Sequence, residues 1–203
     1  MDERPITDLD EQPPASPADA LAIIEREQNQ NWSRALSPFF LLWGLIWLVI
    51  GVAWFGANTG YWGAVVALVT TAVVIVGGSV TSGVLGARMS RGVVGPSSTS
   101  GAMYGFAWFG AMIGVAVITS AIDGATGPFG ASLYPVVFVF VVGVLYTATG
   151  AFHRSTVDYV LGFVVQAVAL VTLFTPSPWE SLVMGIGGGG AMIVVGLLRR
   201  STR

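Results

Sequence analysis

The sequence predicts an all-α polytopic membrane protein: an antiparallel bundle of six transmembrane helices preceded by a short N-terminal interfacial helix. Three observations predict it. From Phe39 to Leu198 the only charged residues are Arg88, Arg91, Asp123, Arg154, Asp158 and Glu180, whereas about 20 apolar residues suffice to cross the hydrocarbon once. Turn signals divide this block into six stretches of spanning length. All nine basic residues are arginines, and they fall on alternate connections.

Residues 1–15 combine Pro, Asp, Glu and Gln with little to bury, so a disordered acidic tail is expected. No cleavable signal is expected within residues 1–37, which lack a basic start and an apolar core. The first span is then its own membrane signal. Ser16-Pro17-Ala18-Asp19 is a helix-start signal, with a capping serine, a proline at the first helical position and an acid at the third. It opens an amphipathic helix over 16–36, on which Leu21, Ile24, Gln28, Trp32 and Ala35 fall near one face. This helix lies along the membrane surface with Trp32 at headgroup level, or docks on a protein. Its acidic bias favours the protein, because anionic lipid would repel it.

Ser37-Pro38 repeats the start signal, opening a transmembrane domain over 37–200 and a first span over 38–57 that ends at Asn58-Thr59-Gly60. The second span covers 61–86. Arg88, Arg91 and the Gly95-Pro96-Ser97-Ser98-Thr99-Ser100 stretch form a loop before the third, 101–122. Asp123-Gly124 and Gly127-Pro128 turn the chain into the fourth, 131–152, which stops at His153-Arg154. The fifth covers 156–174, and Pro176-Ser177-Pro178 leads into the sixth, 178–198. With six alternating spans, the loops 58–60, 123–130 and 175–177 carry no arginine. The positive-inside rule then places both termini in the cytoplasm.

Composition removes whole chemistries. The chain has no cysteine and one histidine. That excludes disulfides, thiolate metal sites, cysteine nucleophiles, bis-histidine haem and multi-histidine metal centres. No cofactor is expected, and a chain of net charge −2 offers no reason to expect a nucleic-acid partner. Arginine without lysine, beside abundant Gly, Ala and Val, reads as a GC-rich bacterial genome and hence a bacterial cytoplasmic membrane.

The intramembrane charges have structural explanations. Ser177-Pro178-Trp179-Glu180 and Ser155-Thr156-Val157-Asp158 each read as a helix cap with a third-position acid, and Asp123 as part of an Asp-Gly turn. His153, Arg154 and Asp158 form the one candidate cytoplasmic cluster. A histidine beside a carboxylate can sense pH or shuttle protons, while an interfacial anchor is the plainer role.

Gln166, with Thr70 and Thr71, is the candidate intramembrane polar site. Eight residues past Asp158, Gln166 lies about 12 Å along the helix at 1.5 Å per residue. It needs a partner there, either across a helix pair or in a pore. Small residues at four-residue spacing, Gly78/Ser82/Gly86, Gly101/Gly105, Gly110/Gly114 and Gly185/Gly189, allow close helix approach. Gly187, Gly188, Gly189 and Gly190 each weaken a helix by about 1 kcal/mol relative to alanine. The last span is therefore either unwound there or pressed against a neighbour. A faint repeat links Gly44-x-x-Trp47 with Gly105-x-x-Trp108 and Trp-Phe-Gly at 54–56 and 108–110, as hairpin repeats or the frequency of these residues in membranes would produce.

The segments Arg91 to Ser97, Gly101 to Trp108, Tyr146-Thr147-Ala148-Thr149-Gly150 and Met184 to Met192 resemble a family of small six-span bacterial integral membrane proteins of uncharacterised activity. The resemblance implies the fold and a bacterial origin, and carries over no catalytic residue. The expected function is non-enzymatic: an accessory or regulatory partner of another membrane or cytoplasmic protein, engaged through residues 17–36. Homo-oligomerisation through the small-residue faces is a further expectation. A transporter or channel for a small neutral or weakly polar solute is the alternative, resting on Gln166, the threonines and the glycine run. An intramembrane enzyme would need paired acids, metal ligands or a nucleophile–base spacing that the chain does not offer.

Overall fold

The computed structural model describes residues 16–89, 96–126 and 130–201. Among them the secondary structure is helical throughout, and six helices are long and apolar enough to cross a membrane. The chain is an all-α bundle of transmembrane type. The expectations for residues 1–15, the 90–95 part of the loop and Gly127-Pro128 lie outside the described residues, as do those for the side chains of Trp32 and Asp123.

α1 runs from Pro17 to Asn58, beginning where the Ser16-Pro17 signal predicts. It is one helix of 42 residues with Pro38 inside it, not a surface helix followed by a separate span. Proline interrupts helices in water because it removes a donor and crowds the preceding turn. Within membrane bundles, neighbouring helices and hydroxyl side chains make it tolerable. Here the hydroxyl of the adjacent Ser37 donates to the Gly196 carbonyl at 2.7 Å, tying this turn of α1 to the last helix.

α2 spans Ala64–Met89 and α3 Pro96–Thr126. α3 differs from the sequence reading at both ends. Pro96 is its first helical residue rather than a loop position, which suits proline's fixed φ and missing N–H. The helix also continues through Asp123-Gly124, so no turn forms there. α4 (Gly130–Phe152) and α5 (Thr156–Phe174) follow, the latter with the predicted boundaries.

The sixth span, Trp179–Ser201, is composite. An α-helical turn, Trp179–Leu182, widens into a π-helix over Val183–Gly189 and narrows again over Gly190–Ser201. The glycine run is therefore unbroken helix, wound more widely than an α-helix over Gly187–Gly189 and α-helical from Gly190.

Packing follows the order α2, α1, sixth span, α5, α4, α3. Among the described residues α2 packs on α1 alone and α3 on α4 alone, and α2 and α3 do not pack on each other. Burial agrees: 44% of the apolar window is buried in the first and sixth spans, but 11% in the second and third, which are the peripheral members. The core is formed by Trp47, Ile50, Val139, Val165, Ala169 and Met192, with Phe40 against Tyr146 and Trp47 against Phe138 bridging α1 and α4.

Glycine sets the closest approach. A Cβ on Gly51 would lie 2.7 Å from the Ser181 carbonyl oxygen, and one on Gly189 would lie 2.6 Å from that of Gly44. The α1 and sixth-span backbones are thus in direct contact. Spacing was a mixed guide elsewhere: Gly78 takes the tip of Ile46 from α1, whereas a Cβ on Gly86, Gly105, Gly110 or Gly114 would meet no described atom within 4 Å. The repeat is not matched in packing, since Gly44 is jammed against the sixth span while a Cβ on Gly105 would meet no described atom within 4 Å.

Candidate functional site

Polar side chains in hydrocarbon must find partners inside the protein. In this bundle they do so across each helix pair of the packing order. Trp43 Nε1 donates to Ser82 Oγ and Trp54 Nε1 to Thr71 Oγ1, both at 3.1 Å, joining α1 to α2. The Tyr104 and Thr149 hydroxyls, 3.0 Å apart, join α3 to α4. Gln166 Nε2 donates to Thr147 Oγ1 at 2.8 Å, joining α5 to α4. Thr147 in turn donates to the Gly143 carbonyl, a back-bond one turn away.

The sequence grouped Gln166 with Thr70 and Thr71, and the structure does not bring them together. Gln166 lies in the α4–α5 interface, Thr71 accepts from Trp54, and Thr70 lines an open apolar groove with Leu48, Val49, Val52, Ala53, Trp62 and Val66. The cause is topological: α2 packs on α1 and does not reach α5.

The main chemical constellation lies at the end of the bundle where the spanning part of α1 begins and the sixth span ends. Arg199 Nη2 is 2.5 Å from Asp158 Oδ1, and the two side chains are 5% and 8% exposed. The Arg199 guanidinium also lies over the Phe40 ring, 4.6 Å from its centroid. Phe40 packs on Tyr146, Tyr146 on Trp108 edge-on at 5.3 Å, and Trp108 on Tyr104. An ion pair on α5 and the sixth span is thereby covered by Phe40 of α1, from which ring contacts run on through Tyr146 of α4 to Trp108 and Tyr104 of α3.

This corrects the proposed cluster of His153, Arg154 and Asp158. His153 and Arg154 are exposed in the turn, with His153 edge-on to Phe152 and Arg154 in the left-handed region at φ 53°. Asp158 is buried and joined to Arg199 instead. Its cap half holds, since Ser155 Oγ accepts from the Asp158 N–H at 3.3 Å. The carboxylate, however, reaches across to the neighbouring helix. Helical spacing carried a signal for this. Asp158 falls in register with buried Leu161, Gly162 and Val165, and Arg199 with buried Met192, Val195 and Gly196.

At the opposite end, Glu180 does not cap its helix as expected. Pro178 occupies the N-cap position without a side-chain bond. Glu180 Oε1 accepts instead from Asn58 Nδ2 at 3.1 Å, joining the end of α1 to the start of the sixth span. Its Oε2 and the Trp108 Nε1 are buried without hydrogen-bond partners among the described residues.

The glycine run serves packing. Gly188 lies under the Trp47 ring, Gly189 against Gly44 and Gly187 against Val168, while Gly190 faces open space. Among the described residues no three His, Asp or Glu side chains are grouped closely enough to hold a metal ion. Compared with known proteins, the chain matches no family model, no curated protein and no solved structure.

Proposed function

We propose that this protein is a non-enzymatic accessory or regulatory subunit of a membrane, engaging a partner protein through the part of α1 that precedes its span. The observation that carries this reading is the continuity of α1 through Pro38. At 1.5 Å per residue, 42 residues make a rod of about 63 Å, roughly twice the hydrocarbon thickness. The spanning part begins at Arg34. Residues 17–33 then project about 25 Å beyond it. The base of this rod is fixed to the last helix by the Ser37 bond to Gly196 and by Phe40 under Arg199. A partner that moves the rod therefore pulls on the bundle core.

The arginine pattern favours a cytoplasmic rod in a bacterial inner membrane, with both termini inside. The transport alternative draws less support, because the Gln166 amide nitrogen donates to Thr147 and Thr71 accepts from Trp54, each across a helix pair rather than toward a shared cavity.

The test is gentle purification of the full chain and of a variant lacking residues 17–33, both verified as membrane-inserted, with mass determination of what remains bound. Stoichiometric partner on the full chain and none on the variant is the expected result. Equal retention would move the contact into the spans. With no partner on either, solute flux compared between the parent and Gln166→Leu becomes the deciding assay, and flux lost in that variant would overturn the accessory reading.

A further inference from the structure

The last helix ends in two arginines with opposite surroundings. Arg199 points into the bundle, to Asp158 and the Phe40 ring. Arg200 is exposed, its side chain making no ion pair or hydrogen bond among the described residues. Beside it lies an open groove of about 430 Å³ lined by Val194, Leu197, Leu198, Arg200 and Ser201. Val194, Leu197 and Leu198 are 56%, 52% and 55% exposed, and their spacing places them on one stripe, away from the buried Met192, Val195, Gly196 and Arg199. An apolar channel along the outer face of a spanning helix thus finishes in a guanidinium.

We infer that this groove binds one anionic phospholipid, an acyl chain lying along Val194, Leu197 and Leu198 and the headgroup phosphate on Arg200. Two features select this occupant. The lining is hydrocarbon on a helix that crosses hydrocarbon, which suits a lipid chain and not a free anion. At the end stands a planar, permanently charged fork that matches phosphate oxygens. A helix C-terminus repels anions through its carbonyls, so the attraction rests on the Arg200 side chain. Arg199 contributes little, its charge being matched by Asp158.

The experiment is native mass spectrometry of the intact, detergent-purified chain, titrated with phosphatidylglycerol and phosphatidylcholine of identical acyl chains. One phosphatidylglycerol should be retained with about a fivefold preference, the scale of one arginine at an anionic surface. Arg200→Gln should bring the two lipids to parity, whereas Arg154→Gln, at another exposed arginine, should leave the preference intact. Val194→Trp, which fills the groove, should weaken both lipids. Equal affinities in the parent, or equal loss in the two arginine variants, would overturn the site, the latter in favour of diffuse surface charge. Displacement by inorganic phosphate alone would reassign it to a free anion. A doubled mass abolished by Val194→Trp would reassign the groove to a second copy of the chain.

Discussion

Asp158 and Arg199 stand 41 residues apart in the chain and 2.5 Å apart in the fold, joining the first turn of α5 to the last turn of the sixth span. Burial of such a pair is costly for both partners, and the cost of losing one partner is greater, because it strands a charge. Asp158→Leu or Arg199→Leu should therefore each destabilise the bundle by about 3–5 kcal/mol. The double variant Asp158→Leu/Arg199→Met should recover most of that loss. Unfolding of detergent-solubilised protein in increasing SDS checks both parts. A double variant as unstable as the worse single one would mean that the pair does more than neutralise itself.

Neighbouring glycines should respond with opposite sign. Gly189→Ala places a Cβ against the Gly44 carbonyl and must push α1 from the sixth span, lowering stability. Gly190→Ala meets nothing within 4 Å and gains up to about 1 kcal/mol of helix propensity. Thermal melts of the two variants beside the parent decide it, and a shift in the same direction for both would contradict the packing described.

Gln166→Leu should cost about 0.6 kcal/mol, the mean worth of a hydrogen bond between membrane helices. Thr147→Val should cost a similar amount. Together they should cost less than the sum, since they remove one bond between them. An additive double-mutant cycle would indicate that Gln166 has a partner other than Thr147.

Much of the fold was legible because bilayer thickness and charge placement both constrain it. The fifth span was placed to the residue, its start fixed by a serine whose hydroxyl does cap the helix. Pro38 misled because the Ser-Pro signal that opens a helix in water need not do so inside a membrane bundle, where neighbouring helices make an internal proline tolerable; here Ser37 bonds to the Gly196 carbonyl instead of capping α1. That neighbour is 159 residues away, and local reading cannot see it. Ser177 misled for the converse reason: the signal was present, but the helix starts one residue later and the serine is not used. Small-residue spacing shows that a face is smooth, not which helix it meets. Gly189 and Gly110 therefore read alike, although one is crushed against α1 and the other is open. The ion pair was half visible, since both residues lie in register with the buried face of their helices. Pairing them required knowing that α5 and the sixth span are neighbours in this topology.

The packing order leaves one covalent connection that no interface duplicates. Each of the other loops joins helices that already pack together, whereas the segment between Met89 and Pro96 joins α2 to α3, which do not pack on each other among the described residues. A chain severed there loses no described packing. What then holds the α1–α2 hairpin to the remaining four helices is chiefly the glycine-lined seam between α1 and the sixth span, fastened near its ends by Ser37 with Gly196 and Asn58 with Glu180. Two co-expressed pieces divided in that segment should reassemble in the membrane and co-purify, and Gly51→Leu should separate them. By the same geometry the first hairpin is a leaf bound along one edge: α1 is set into the core, and its outer member α2 has no described contact with α3 to break.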